Sequence, residues 1–336
     1  MGACRMRIGM CFPRELPAPL ITTFAERLDA AGVDELWVIE DCFYTAGISL
    51  AATALARTER LTVGIGILPA VARTAAVTAM EIATLAALAP GRVIAGIGHG
   101  VQDWMGQMGV RPAHPVATLE ATISAVRRLL AGEEVTADEA GVALDHVRLD
   151  APPAVQPPVL AGVRGPRSLA AAGRCADGVV LAELSGPAAV RDAIATAGAP
   201  AGFDVAVYST ISLGADRGEA RGDIAPFIAE MVASPSTGLR HAPFFADLRA
   251  LVADRGIDGI VGMPDEWWTE LSGAGTMDDV AAHVAALEAA GTGHVAFFPA
   301  PEPDVALAQL DDVIAVSQAL RARSAASESS VEAFSS

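Results

Sequence analysis

Residues 91–100, GRVIAGIGHG, run from a strand-like apolar segment into Gly96, Gly98 and Gly100, with His99 among them. Glycine weakens a strand and packs nothing, so such an ending makes sense where something must approach the backbone closely. Comparable endings recur along the chain. One segment closes on Gly66, Ile67, Leu68 and Pro69, another on Gly162, Val163, Arg164 and Gly165, and a third on the adjacent acids Glu40 and Asp41. Glycines at three such ends leave room for a flat ligand or a phosphate against bare backbone amides. A tight turn without a ligand is the competing reading of GIGHG. A histidine alone is more often structural, and only its place between two strand-end glycines makes His99 a candidate.

The elements that would hold these ends alternate regularly. Strand-like runs at 6–12, 33–40, 60–68, 92–98, 158–163, 177–183, 204–213 and 293–300 are interleaved with alanine-rich runs of helical periodicity. The helices are expected at 21–32, where Gly32 suits a C-terminal cap, then at 49–58, 75–89 and 116–132, from Pro166, Pro187 and Arg217, and at 305–323. Eight strands each followed by helix predict an α/β fold, a (β/α)8 TIM barrel with insertions, forming one domain over 1–323. Such a barrel needs ~250 residues, which leaves room for a hairpin insertion at about 133–156 and a larger one at about 234–276. The small polar residues from Ser324 to 336 predict a disordered tail. An open doubly wound sheet is the alternative, but its glycine fingerprint is missing from the first strand-to-helix turn. In a barrel the chemistry sits at the carboxyl ends of the strands. Pro13, Glu40 and Asp41, Gly66 to Pro69, GIGHG, Gly162 to Gly165 and Glu183 all fall there.

Composition narrows the chemistry. The chain has 336 residues, 52% hydrophobic and 19% charged, which is globular, and its 23 basic against 40 acidic residues leave a net charge of −17. That charge opposes binding to nucleic acid or anionic membrane surfaces. Every basic residue is arginine. Without lysine there is no Schiff base and no Walker-type phosphate loop. Cys4, Cys11, Cys42 and Cys175 show no C-x-x-C pair and no spacing suited to zinc, so small hydrophobes in a reducing cytoplasm are expected. Neither a signal peptide nor a membrane span is visible, and the expected location is cytoplasmic.

The ordered segments ERLDAAGVDELWVIED, ARTERLTVGIGILP, LAPGRVIAGIGHG and VLAGVRGPRSLAAAGRCADGVVL resemble the luciferase-like monooxygenase superfamily. Within it they are most similar to the branch using the deazaflavin coenzyme F420, typified by methylenetetrahydromethanopterin reductase. The resemblance spans roughly 6–183 and the last barrel unit. It implies the barrel fold and hydride transfer between F420 and a small unsaturated organic molecule; a homodimer is expected as well. Reduction of C=C or C=N is favoured over oxidation. It also implies a non-prolyl cis peptide at Gly66–Ile67. By position, Gly98, His99, Gly100, Gly162, Val163, Arg164 and Gly165 would hold the phosphate-bearing tail, the planar guanidinium of Arg164 suiting a phosphodiester. An FMN-dependent monooxygenase and a non-catalytic binding barrel are the alternatives.

The sequence departs from the family at Glu40–Asp41, where relatives carry an acid followed by histidine. Adjacent carboxylates in a partly buried site do not both ionise cheaply, so one could have a raised pKa and donate a proton as hydride adds to a double bond. The other reading is an anionic pair at a helix N-terminus. The catalytic candidates are therefore Asp41, Glu40 and His99. Trp37, Phe43 and Tyr44 either wall an apolar pocket or pack the barrel top. Trp267 and Trp268 either face substrate or pack the large insertion.

Overall fold

The computed structural model describes residues 6–182, 184–234 and 238–334, with side chains up to 325. In chain order the elements are β1 (Arg7–Phe12), α1 (Leu20–Ala31), β2 (Glu35–Val38), α2 (Gly47–Ala56), β3 (Thr62–Pro69), α3 (Ala75–Leu88), β4 (Val93–Gly98), α4 (Gln102–Gln107) and α5 (Pro115–Leu130). There follow β5 (Val135–Glu139), β6 (Val142–Val147), β7 (Val159–Gly162), α6 (Pro166–Cys175), β8 (Gly178–Leu181), α7 (Pro187–Ala197), β9 (Asp204–Leu213) and α8 (Arg217–Ala233). The chain ends with α9 (Phe245–Val261), α10 (Asp265–Leu271), β10 (Gly273–Gly275), α11 (Met277–Ala289), β11 (His294–Phe298) and α12 (Pro303–Phe334).

Strands β1, β2, β3, β4, β7, β8, β9 and β11 pair in parallel in that order, and β11 pairs back with β1, so the sheet closes into the expected barrel with helices around it. Each of these strands carries near-continuous apolar residues because both faces are covered, one by the barrel interior and one by helices. Outward-facing Val63, Ile65, Val93, Ala95 and Val159 join the inner faces of the helices in one core, where each fully buried valine or isoleucine side chain contributes about 1.5–3 kcal/mol. Helix α1 stops at Gly32, whose φ of 73° is open to glycine at little cost.

The expected hairpin is β5–β6, paired antiparallel. The larger excursion builds α9 and α10 and returns through β10, which adds to the end of β9. It has its own core, in which Ile224, Ile228, Leu248, Ile260, Trp268 and Leu271 are buried together. Trp268 thus packs the insertion, and Trp267 stacks on Phe244 at 4.4 Å, which answers the question these two tryptophans raised. Helix α12 continues to Phe334, through most of the segment expected to be disordered, since its serines, alanines and glutamates interrupt no helical turn with Gly or Pro.

The barrel interior is filled at its amino end by a buried polar cluster. His294 Nδ1 meets Glu35 Oε1 at 2.6 Å and its Nε2 meets Asp204 Oδ2 at 2.6 Å, while Trp37 Nε1 donates to Glu35 Oε2 at 2.8 Å. Burial opposes a charge on His294, but its bonds to Asp204 and Glu35 carry the imidazole up to about 9. Trp37 therefore lies inside the barrel, in edge contact with Tyr208 at 5.6 Å, and does not wall the mouth.

Candidate active site

Strand β3 breaks register between Ile65 and Leu68, and the peptide Gly66–Ile67 is cis, as the family resemblance implies; Cys42–Phe43 is cis as well. The irregularity turns Ile67 across the ends of β4 and β7. A Cβ on Gly162 would stand 2.4 Å from Ile67 Cγ2, and one on Gly98 would stand 2.9 Å from Ile67 Cδ1. Part of the glycine signal in β4 and β7 is thus internal, since these glycines make room for Ile67. Gly66 has a similar cause, because a Cβ there would fall 1.7 Å from the Tyr208 hydroxyl.

The adjacent acids do not contend with each other, because each has its own arginine. Glu40 accepts from Arg73 Nη1 at 2.5 Å and Nη2 at 2.8 Å, and its Oε2 also accepts from Gly47 N at 2.9 Å. Gly47 opens α2, so the carboxylate complements the positive end of that helix. Both oxygens of this buried side chain are committed. Hydrogen bonds to Glu40 hold the Arg73 guanidinium above its ordinary value. Asp41, about 30% exposed, instead accepts from Arg14 Nη1 at 2.6 Å through Oδ2. Arg14 Nε donates to Glu15 at 2.7 Å, and the guanidinium lies 4.8 Å from the ring centre of Tyr44 and 5.8 Å from that of Trp104. Burial works against the charge of Arg14, yet its bonds to Glu15 and Asp41 leave it above its ordinary value. Burial, followed by the charges of Glu40 and Asp41, pushes the Cys42 thiol up.

Across the mouth, Gly98 pairs with Gly162, which brings the fourth and fifth barrel strands' loops together. His99 Nε2 lies 2.9 Å from Ser168 Oγ. Burial keeps the His99 imidazole below its ordinary value against the opposing carbonyl of Pro115. Ser168 is in the first turn of α6, whose N-cap is Gly165 with no capping side chain and with Pro166 following. Nothing lies within 4 Å of where a Cβ on Gly165 would be. Val163 is buried and Arg164 exposed, so this loop offers a positive helix end, open space and a guanidinium together. No hydrogen bond or ion pair joins Asp41 to His99 among the described residues. Glu183 lies outside the described residues. Among those described, no three His, Cys, Asp or Glu side chains gather to hold a metal ion. A cavity of about 600 Å³ opens beside Arg73, between the β3–α3 loop, α5 and the hairpin tip, without reaching either the Asp41 or the His99 group.

Sequence reasoning missed Arg14, Arg73, Trp104 and Ser168. Arg14 follows the strand-end Pro13 directly and could have been found by asking what neutralises two adjacent acids. Ser168 follows Pro166 at a helix start. Arg73 and Trp104 carry no local signal, since their roles depend on contacts 33 residues away in one case and on a short helix in the other.

The family model described as luciferase-like monooxygenase matches residues 6–294. The chain belongs to this family. It is 30% identical over 295 residues to the 5,10-methylenetetrahydromethanopterin reductase of Methanolobus tindarius, covering 83% of this chain and 90% of that protein. Among solved structures, the coenzyme F420-dependent tetrahydromethanopterin reductase from Methanopyrus kandleri superposes with a TM-score of 0.74 at 20% identity, covering 93% of this chain and 97% of the other. The oxygenating constituent of 3,6-diketocamphane monooxygenase of Pseudomonas putida, in complex with FMN, superposes with a TM-score of 0.63 at 19% identity over 87% and 91% of the two chains. Both structural likenesses concern the barrel fold.

Proposed function

We propose that this protein is an oxidoreductase that uses the deazaflavin coenzyme F420 to reduce a C=C or C=N bond of a small organic substrate. The observation that carries the reading is the near full-length match to a methylenetetrahydromethanopterin reductase. The strand-end loops fit the group: the uncapped start of α6, the space at Gly165 and the Arg164 guanidinium suit an anionic tail, with His99 and Ser168 beside it. Gly98, Gly100, Gly162 and Val163 shape that loop pair, while Gly66 and Ile67 would back the flat ring. When bound, the coenzyme supplies a hydride. Asp41, accessible and held by one arginine, is the side chain through which a proton reaches the substrate. Glu40, with both oxygens committed, is a brace that fixes Arg73 and the start of α2.

The proposal includes a homodimer in the cytoplasm. Cys11, Cys42 and Cys175 are free thiols, and Val77, Met80 and Leu88 expose apolar surface along α3. Among the described residues no helix is long and apolar enough to cross a membrane. Light scattering on the eluted protein decides the assembly. The FMN-bound structural relative favours FMN as the second reading. Titrations with each compound decide between them: F420 is expected to bind at least tenfold more tightly, ~1.4 kcal/mol. Equal or tighter binding of FMN overturns the proposal.

A further inference from the structure

The mouth on the β1–β2 side carries aromatic surface and cationic hydrogen-bond donors that the fold itself does not use. Phe43 and Tyr44 are 65% and 56% exposed, a large apolar display for neighbouring residues at a strand end. Arg14 lies against Tyr44 and Trp104 and is 33% exposed along its side chain. A guanidinium has five N–H donors in a fixed fork. Glu15 takes Nε and Asp41 takes one hydrogen of Nη1, and Nη2 makes no hydrogen bond among the described residues.

We propose that Arg14 is a specificity-determining residue that binds a carbonyl oxygen of a planar, uncharged substrate lying against Phe43 and Tyr44. This deepens the oxidoreductase reading and rests on it for its setting. The charge balance selects the class of substrate. Arg14 already faces two carboxylates, Glu15 and Asp41, so the cluster is net negative and repels a further carboxylate. A neutral carbonyl accepts a hydrogen bond from the remaining N–H groups without that repulsion. A hydrocarbon of the same shape leaves those donors without a partner as it excludes water from them. The aromatic pair favours a flat, conjugated molecule, because stacked rings gain from offset contact as well as from buried area.

Equilibrium dialysis of the coenzyme-free protein against three naphthalenes of matched shape tests this: 2-acetylnaphthalene, 2-naphthoate and 2-ethylnaphthalene. The acetyl compound is expected to bind about tenfold more tightly than either of the others. Arg14→Ala should reduce its advantage over 2-ethylnaphthalene to within about twofold, whereas Phe43→Ala should weaken all three by a similar factor and keep their order. Tighter binding of 2-naphthoate, no binding of any compound, or discrimination that survives Arg14→Ala overturns the proposal. Titration of Arg14→Ala with F420 separates the two readings. Retained F420 binding with lost discrimination supports both, and failure of the native protein to bind F420 sinks the oxidoreductase reading alone.

Discussion

At the amino ends of the barrel strands Glu35, Trp37 and His294 are buried, half-buried Asp204 closes the group, and three hydrogen bonds of 2.6–2.8 Å join the four. At the carboxyl ends Arg14 with Glu15 and Asp41, and Arg164 beside an uncapped helix, stay within reach of solvent. Both ends bring acids and bases together. The difference is completeness, since the lower cluster satisfies its members with one another while the upper one keeps donors, open space and exposed rings. A satisfied buried network fixes structure, and an unsatisfied accessible one can bind.

The largest expected effect lies at the carboxyl end. Asp41→Asn keeps size and hydrogen bonding but cannot carry a proton, so turnover should fall by ~10²–10⁴ while F420 affinity stays within a few-fold. Steady-state kinetics against a titration of the coenzyme separates the two. If turnover is unchanged, the proton comes from elsewhere, and Asp41 belongs with Glu40 among the braces.

At the amino end the same kind of substitution should act on stability. Glu35→Ala leaves Trp37 Nε1 without its partner and His294 with Asp204 alone, and should cost ~3–5 kcal/mol in denaturant unfolding, with little change in F420 affinity for the folded protein. A loss under ~1 kcal/mol would erase the contrast between the two ends.

The pH dependence sharpens it. His294 is raised from 6.5 to about 9 in the folded protein, so its contribution is fully present below pH 6.5 and is lost as pH rises through about 9. Asp204 is lowered, burial notwithstanding, by its bond to His294, so its contribution is present above its unfolded value and lost only in acid. Native protein should therefore lose ~2–3 kcal/mol between pH 7 and 10, and His294→Gln should flatten that slope. Parallel slopes in the two proteins would show that the cluster is not the source.

The barrel was legible because each strand is apolar on both faces and each is followed by a helix, a pattern that survives local uncertainty. The pattern places a strand at 60–68 where β3 runs Thr62–Pro69, and one at 204–213 where β9 runs Asp204–Leu213. Helices α4, α9, α10 and α11 carry no sequence pattern that sets them out. The first is only six residues long, and α9 is broken at Gly256, where φ is 59°. At the site, the positions were legible but part of their cause was not. Gly98 and Gly162 stand out in the sequence, whereas Ile67, which needs the space, is an ordinary apolar residue whose direction is set by the bulge. Likewise Glu40 and Asp41 are conspicuous as neighbours, but Arg73 and Arg14, which give them different work, are distant or unremarkable in sequence.

The smallest effect expected is that of Arg164→Ala. Arg164 is exposed, so its removal leaves no buried vacancy, and thermal stability should stay within a degree or two of the native protein. If it meets an anionic tail at the start of α6, the loss in F420 affinity should be about 1.5 kcal/mol, at the low end for a charged hydrogen bond because water competes at the rim. The helix dipole and the amides after Gly165 remain in the variant and retain part of the attraction. Raising the salt concentration should narrow the difference between native and variant, since an exposed charge is screened where backbone amides in a loop are less so. An affinity unaffected by the substitution at low salt would place the tail away from β7, and the likeness between this loop and a phosphate cradle would then be one of shape alone.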